Sequence, residues 1–141
     1  MTTITINGLD KLSAALAQYA NKVNEGVKAA VARAANDIAD AAKQNAHGAV
    51  AGSIQAEISA DGVSAIVSAN SKYAVFAEYG VNIPAIKAEN AKALHFIKNG
   101  EDVFVKSAQA HPIAPRPFLN PAAEHCKPEF IERIKNSIIN I

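Results

Sequence analysis

VKAAVARAANDIADAAK, residues 27–43, is the stretch whose reading decides the fold. Eight of its seventeen residues are Ala, the best helix former, and it holds neither Pro nor Gly. Upstream, Leu9, Leu12, Leu16, Tyr19, Val23, Val27 and Val31 carry apolar side chains at helical spacing, and Ala34, Ile38 and Ala41 continue the pattern. The spacing predicts a helix from Leu9 to about Asn45, capped by Asn7 or Asp10. A straight helix of that extent is roughly 55 Å long, while a domain of this size has a radius of gyration of about 14 Å. Such a helix must break or protrude. The weakest part is NKVNEG at 21–26, where a mid-helix Gly costs about 1 kcal/mol against Ala, so any break is expected near Gly26. Small side chains on nearly every face let a neighbour approach closely but bury little area themselves.

Beyond Gly48 the period changes to two. Ile54, Ala56 and Ile58, then Val63, Ala65 and Val67, flank Asp61-Gly62 and predict a hairpin. ALHFIK and EDVFVK predict a second one around Asn99-Gly100, a pair that tolerates the positive φ of a type I′ turn. Between them KYAVFAEYG fits either a buried strand or a short helical turn ended by Gly80, and periodicity does not choose. VNIPAIKAENAK is polar, carries Pro84 and is expected as a surface loop. HPIAPRPFLNPA holds four of the six prolines and predicts an extended path. Asn120-Pro121 has the form of an N-cap and N1 pair opening a last helix, with Phe130, Ile131, Ile134, Ile138 and Ile141 as its apolar stripe. Pro128 predicts a kink or fresh start near Lys127. The fold class expected is α+β: an N-terminal helix or helix pair on an antiparallel sheet of about four strands, plus a C-terminal helix.

At 141 residues the chain is expected to form one domain, 1–141. Half its residues are hydrophobic, which argues against disorder, yet only 6% are aromatic and Trp is absent, so the core has to be built from small aliphatic groups. A net charge of +1 does not favour a protein that grips phosphates. The lone Cys126 makes no internal disulfide, and the start MTTITINGLDKL lacks the features of a secretory signal. No apolar run reaches the ~20 residues that span a bilayer. A soluble, cytoplasmic chain with no membrane partner is the expectation.

Two short motifs stand out, YAVFAEYG at 73–80 and APRPFLNPAAE at 114–124. With the Ala-rich leading helix and the turn Gly52-Ser53-Ile54, they place Tyr73-Ala74, Glu78-Tyr79-Gly80 and Pro117-Phe118-Leu119-Asn120-Pro121-Ala122 in a characteristic order. In that order of features the chain resembles the bacteriophage tail-completion or neck protein family of small tail components. Two places depart from the family pattern: Ala46, His47-Gly48 and Ala51-Gly52 stand where a Pro and a Thr-Gly are usual, and Val81 stands where Thr is common. The resemblance implies a virion structural part of a tailed phage or prophage, made in the host cytoplasm, that joins head to tail or finishes the tail end as a ring. It implies six-fold symmetry, connector and tail-tube or tail-terminator proteins as partners, DNA only passing through the lumen, and no catalysis or cofactor.

The residues themselves give the same direction. Glu78 is a carboxylate inside an apolar run and needs a partner. Arg116, between Pro115 and Pro117, is the candidate, since a guanidinium holds a carboxylate with two parallel hydrogen bonds; the alternative is that both face water. Phe76, Tyr79, Phe118 and Leu119 are expected in the core, with Phe118 and Leu119 also suited to anchoring a contact between subunits. Tyr73, Gly80, Pro117 and Pro121 complete the set of structural and interaction residues. His47, His95, His111, His125 and Cys126 are scattered, without the repeated short spacing of a zinc site, so no metal is expected. Cys126 has no nucleophile signature around it. The competing function class is a nucleic-acid-binding regulator using Lys22, Lys28, Arg33 and Lys43, residues that a solvated helix face explains equally well.

Overall fold

The computed structural model describes residues 3–140. The elements run α1 (Leu9–Asn45), α2 (Ala49–Gly52), β1 (Ile54–Ile58), β2 (Ala65–Ala69), α3 (Ala74–Tyr79), β3 (Val81–Ile83), β4 (Ile86–Lys87), β5 (Leu94–Lys98), β6 (Glu101–Val105), β7 (Ser107–Ala108), β8 (His111–Ile113) and α4 (Leu119–Ile139). The class is α+β with long helices at both ends. Its strands do not form one four-stranded sheet: they pair as four antiparallel ribbons, β1-β2, β3-β8, β4-β7 and β5-β6. The chain divides into two compact units, 1–71 with 118–141, and 72–117.

In the first unit α1 runs unbroken for 37 residues, with no break at Gly26, so of the two expected alternatives the helix protrudes. Gly26 serves packing. A Cβ built there would lie 2.8 Å from the Cβ and 2.9 Å from the Oγ of Ser137 on α4. The missing side chain lets the two helices touch. Further along, Arg133 donates to Asp37 at 2.7 Å, and near the other end the Tyr19 hydroxyl donates to the Ile138 carbonyl at 2.7 Å. These three links place the helices antiparallel. Ala30, Val31, Ala34, Ala35, Ala39 and Ala42 are the buried residues of α1, all in its second half. The Ala-rich stretch is therefore the core face, and the helix protrudes at its other end, where residues 9–22 are all exposed. Neither Asn7 nor Asp10 caps it; Gly8 stands at the N-cap with φ 105° and its carbonyl accepts from the Leu12 amide at 2.9 Å.

The β1-β2 hairpin has the predicted strands, in a register that sets Ile54 opposite Ala69 and Ile58 opposite Ala65. Ile54, 2% exposed, packs its ribbon on α1. The connection is wider than a two-residue turn. The Ser59 and Gly62 amides donate to the Ser64 and Ser59 carbonyls, each at 2.9 Å, and the Asp61 carboxylate accepts from the Val63 amide at 3.1 Å and from the Ser59 hydroxyl. Both bonds favour the charged form and hold the Asp61 carboxyl below the ordinary carboxylate range.

The last helix also differs from expectation in detail. It starts at Leu119 with Phe118 at the N-cap, two residues before the expected Asn120-Pro121 cap and first position, and continues through Pro128 to Ile139 with no fresh start. Pro121 falls in the first turn, where its missing N–H has no intrahelical acceptor to lose. Of the predicted apolar stripe, Phe130 and Ile134 are half-buried, Ile131 and Ile138 are 42% and 45% exposed, and Ile141 lies outside the described residues. Phe118 is 2% exposed, the largest fully buried side chain described.

In the second unit KYAVFAEYG resolves as the helix α3, ended by Gly80. The segment expected as a loop carries β3 and β4 instead, paired with β8 and β7, so the start of the proline-rich stretch, His111–Ile113, supplies one strand. The Asn99-Gly100 turn has positive φ at both residues, 54° and 84°, with Lys98 opposite Glu101.

Gly26→Ala is expected to lower the thermal midpoint although Ala is the better helix former, because its Cβ has to displace Ser137; overpacking of this kind costs about 1–3 kcal/mol. Thermal unfolding by circular dichroism measures it. Asp61 supplies a pH test. Its folded pKa lies below the unfolded value, so its contribution is present above about pH 4 and fades as pH falls through the lower folded value. Asp61→Asn should remove that part of the acid slope in urea titrations compared between pH 6 and pH 3.

Candidate functional site

Two places in the molecule gather surface that the described chain does not cover, one in each unit.

In the first unit an open apolar cleft of about 430 Å³ lies between α1, the β1-β2 hairpin and α4. Val31, Ala34, Ala35 and Ile38 form its α1 wall, Val63, Ala65 and Val67 its hairpin wall, and Ala123 and Phe130 part of its α4 wall. Glu124 and Lys127 stand at it with opposite charges. The cleft exists because small Ala side chains line the place where three elements converge, and they leave the volume unfilled. Beside it, Arg133 joins Asp37 across the helix pair and Glu129 along α4. These carboxylates keep the guanidinium charged, raising it above its ordinary value. Cys126, half-buried on the same helix, has its thiol pushed up by burial and then by Asp37 and Glu129, the reverse of what a nucleophile needs.

In the second unit α3 and the proline-rich segment meet. The Arg116 amide donates to the Ala77 carbonyl at 2.7 Å. Gly80 makes that approach possible: with φ 73°, a Cβ there would come within 2.7 Å of the Ile113 carbonyl oxygen and 2.9 Å of Pro115. Two motifs singled out in the sequence, Glu78-Tyr79-Gly80 and Pro115-Arg116-Pro117, are thus brought together, and the observed link runs through the backbone. Glu78 is 8% exposed, the buried charged residue among those described. Arg116, Pro117 and Pro121 are exposed and Leu119 is half-buried. Phe76 and Tyr79, expected in the core, are 45% and 70% exposed, and Tyr73 is 55% exposed with the Lys72 ammonium 5.1 Å from its ring centre. A helix of six residues has room for one buried side, here Ala74 and Glu78, which leaves the large side chains outside.

On the β5-β6 ribbon His95 lies 2.8 Å from Asp102 and stacks on Phe104 at 4.7 Å between ring centres. Both side chains are more than half exposed, so this is a cross-strand surface hydrogen bond. Among the described residues no three His, Cys, Asp or Glu side chains gather as metal ligands do, and no helix is long and apolar enough to cross a membrane.

Sequence reading did not find the cleft or the Asp37–Arg133 link. The link joins residues 96 positions apart, and nothing local in either helix marks them as partners. A usable sign for the cleft was present: Val63 and Val67 sit on one side of the hairpin while the facing helix offers only Ala at Ala34 and Ala35.

The family model "Bacteriophage HK97-gp10, putative tail-component" matches residues 10–80, half of the chain. The protein belongs to this family of phage tail components. The match spans α1, the hairpin and α3 up to Gly80, so both the leading helix and the Glu78-Tyr79-Gly80 motif fall inside it. No curated protein and no solved structure matches the chain significantly. As a tail component the protein is a part of the virion.

Gly80→Ala tests the junction in the second unit. It demands a rare backbone conformation and collides with main-chain atoms, so the Arg116 amide should lose its protection in hydrogen exchange; an unchanged exchange rate would refute the tight approach.

Proposed function

We propose that this tail component acts by assembly, forming a closed ring of its own copies that joins head to tail or completes the tail end. One observation carries the reading: large hydrophobic side chains are left uncovered on both units. Leu9, Leu12 and Leu16 on α1 are 56–65% exposed, and Val75, Phe76 and Tyr79 on α3 are 45–70% exposed. Monomeric proteins rarely leave contiguous apolar patches above a few hundred Å², and larger ones mark contact sites. Four two-stranded ribbons add unpaired strand edges, which are templates for pairing with another chain. A repeated contact between copies closes into a ring when its rotation allows.

In this role the protein transforms no molecule. Its partners are further copies of itself, in six-fold symmetry, and the phage connector and tail-tube or tail-terminator proteins, met in the host cytoplasm during assembly. DNA passes only through the lumen. A net charge of +1, with Lys28, Arg133 and Lys135 already engaged by acidic neighbours, suits passage better than a grip on phosphates.

Adding the purified protein to heads and tails from particles made without it should restore infectious virions, with the protein retained at the joint or tail end in electron micrographs. Particles that mature equally well without it, or failure of the protein to bind heads or tails, would remove this reading.

A further inference from the structure

We infer that the β5-β6 ribbon of one copy is continued by the next, β6 of one chain pairing antiparallel with β5 of its neighbour, a contact that deepens the ring reading and rests on it. The build of the second unit supplies the reason. β3-β8 and β4-β7 keep one offset, Val81 opposite Ile113 and Ile86 opposite Ala108, and the Ala88 amide then donates to the Lys106 carbonyl at 3.1 Å. With β5-β6 they are successive parts of one two-stranded arm that turns at Asn99-Gly100, and among the described residues no third strand lies beside it. A two-stranded ribbon is marginal by itself in water and gains stability from further strands.

Both edges of the outer part are open to pairing. Its register runs without a bulge from Lys98 and Glu101 at the turn to Leu94 and Val105, and neither strand holds Pro. In a two-residue hairpin the pair beside the turn is hydrogen-bonded, and bonded pairs alternate with unbonded ones along the strands. His95 and Ile97 on β5, and Asp102 and Phe104 on β6, therefore direct their peptide groups outward. Such edges are templates for a strand of another chain.

Charge selects which edge meets which. β5 carries His95 and Lys98 and no acid, while β6 carries Glu101 and Asp102 and no base. Within the chain His95 bonds Asp102, but Lys98 and Glu101, though opposite in register, form no ion pair, so both charges remain for a neighbour. When β6 of one copy lies along β5 of the next in the register that the ribbon itself uses, Glu101 comes opposite the neighbour's Lys98. The outward peptide groups of Asp102 and Phe104 then meet those of Ile97 and His95. Opposite charges facing each other across strands are favourable, and like charges are not. Pairing β6 with β6, or β5 with β5, sets no opposite charges together. Each copy thus offers one acidic edge and one basic edge, and the contact repeats from copy to copy around a ring instead of stopping at a two-fold pair.

The test traps the joint covalently in full-length chains. Two variants, each with Cys126→Ser so that a single thiol remains, carry Lys98→Cys or Glu101→Cys. Both positions are exposed, so folding is expected to survive, with circular dichroism as the check. Mild oxidation of the equimolar mixture, at a concentration where the parent assembles, should give disulfide-linked dimers holding one chain of each kind, and either variant alone should stay unlinked. Phe96→Cys mixed with Val103→Cys, opposite each other in the same register, repeats the test with Lys98 and Glu101 intact. Absence of mixed dimers from both mixtures overturns the joint, as does equal linking of one variant to itself. Linking to a tail protein in place of a second copy, when tails are added, assigns the edge to that protein and also overturns it. If the parent sediments as rings while neither mixture links, the joint falls and the ring reading stands. A parent that assembles neither alone nor on tails removes the ring reading, and oxidation at high protein concentration still decides whether β6 meets β5.

Discussion

The seating of α4 on the Ala-rich half of α1 is the constraint on which the first unit depends. Ala side chains bury little area each, so that half of α1 gains stability only if its neighbours come very close. Gly26 and Ser137 show how close: there is no room between them for a single methyl group. The Asp37–Arg133 pair and the Tyr19–Ile138 hydrogen bond then fix the helices in antiparallel alignment. The β1-β2 ribbon, with Ile54 buried at its base, closes the third side, and the space that small residues cannot fill is left as the cleft.

The same economy of side-chain volume explains the surfaces. A chain with no Trp and few aromatics has limited means to build a large core. It places Phe118 fully inside and leaves Phe76, Tyr79 and the leucines of the first turns of α1 outside. In a protein that acted alone this arrangement would waste its best hydrophobes. Under the assembly role proposed above, neighbouring copies supply the remaining cover.

Much of this was legible in the amino acids, and the parts that were not share a cause. The helical run from Leu9, the positive-φ turn at Asn99-Gly100 and the closing helix are set by interactions within a few residues, which local spacing reports. Local spacing marks Gly26 only as the weakest point of the helix, because the cost of a glycine is local while its use, admitting Ser137, depends on a residue 111 positions away. Strands as short as Ile86–Lys87 have no period to detect; they exist because β7 lies alongside. KYAVFAEYG allowed strand or helix, and the structure chose the helix that Gly80 ends. Of the singled-out residues, Gly80 packs on Ile113 and Pro115 while the Arg116 amide bonds the Ala77 carbonyl, contacts that run through main-chain atoms and that no side-chain argument anticipates.

The hydrogen bond from Arg133 to Asp37 encloses everything between them, including all of residues 72–117, in one long loop. The entropy of closing a flexible loop rises only with the logarithm of its length, about 0.6 kcal/mol for each doubling. Lengthening or shortening that inserted module therefore changes the cost of bringing the first and last helices together very little. The helical frame therefore tolerates a change of length in its middle segment at little entropic cost.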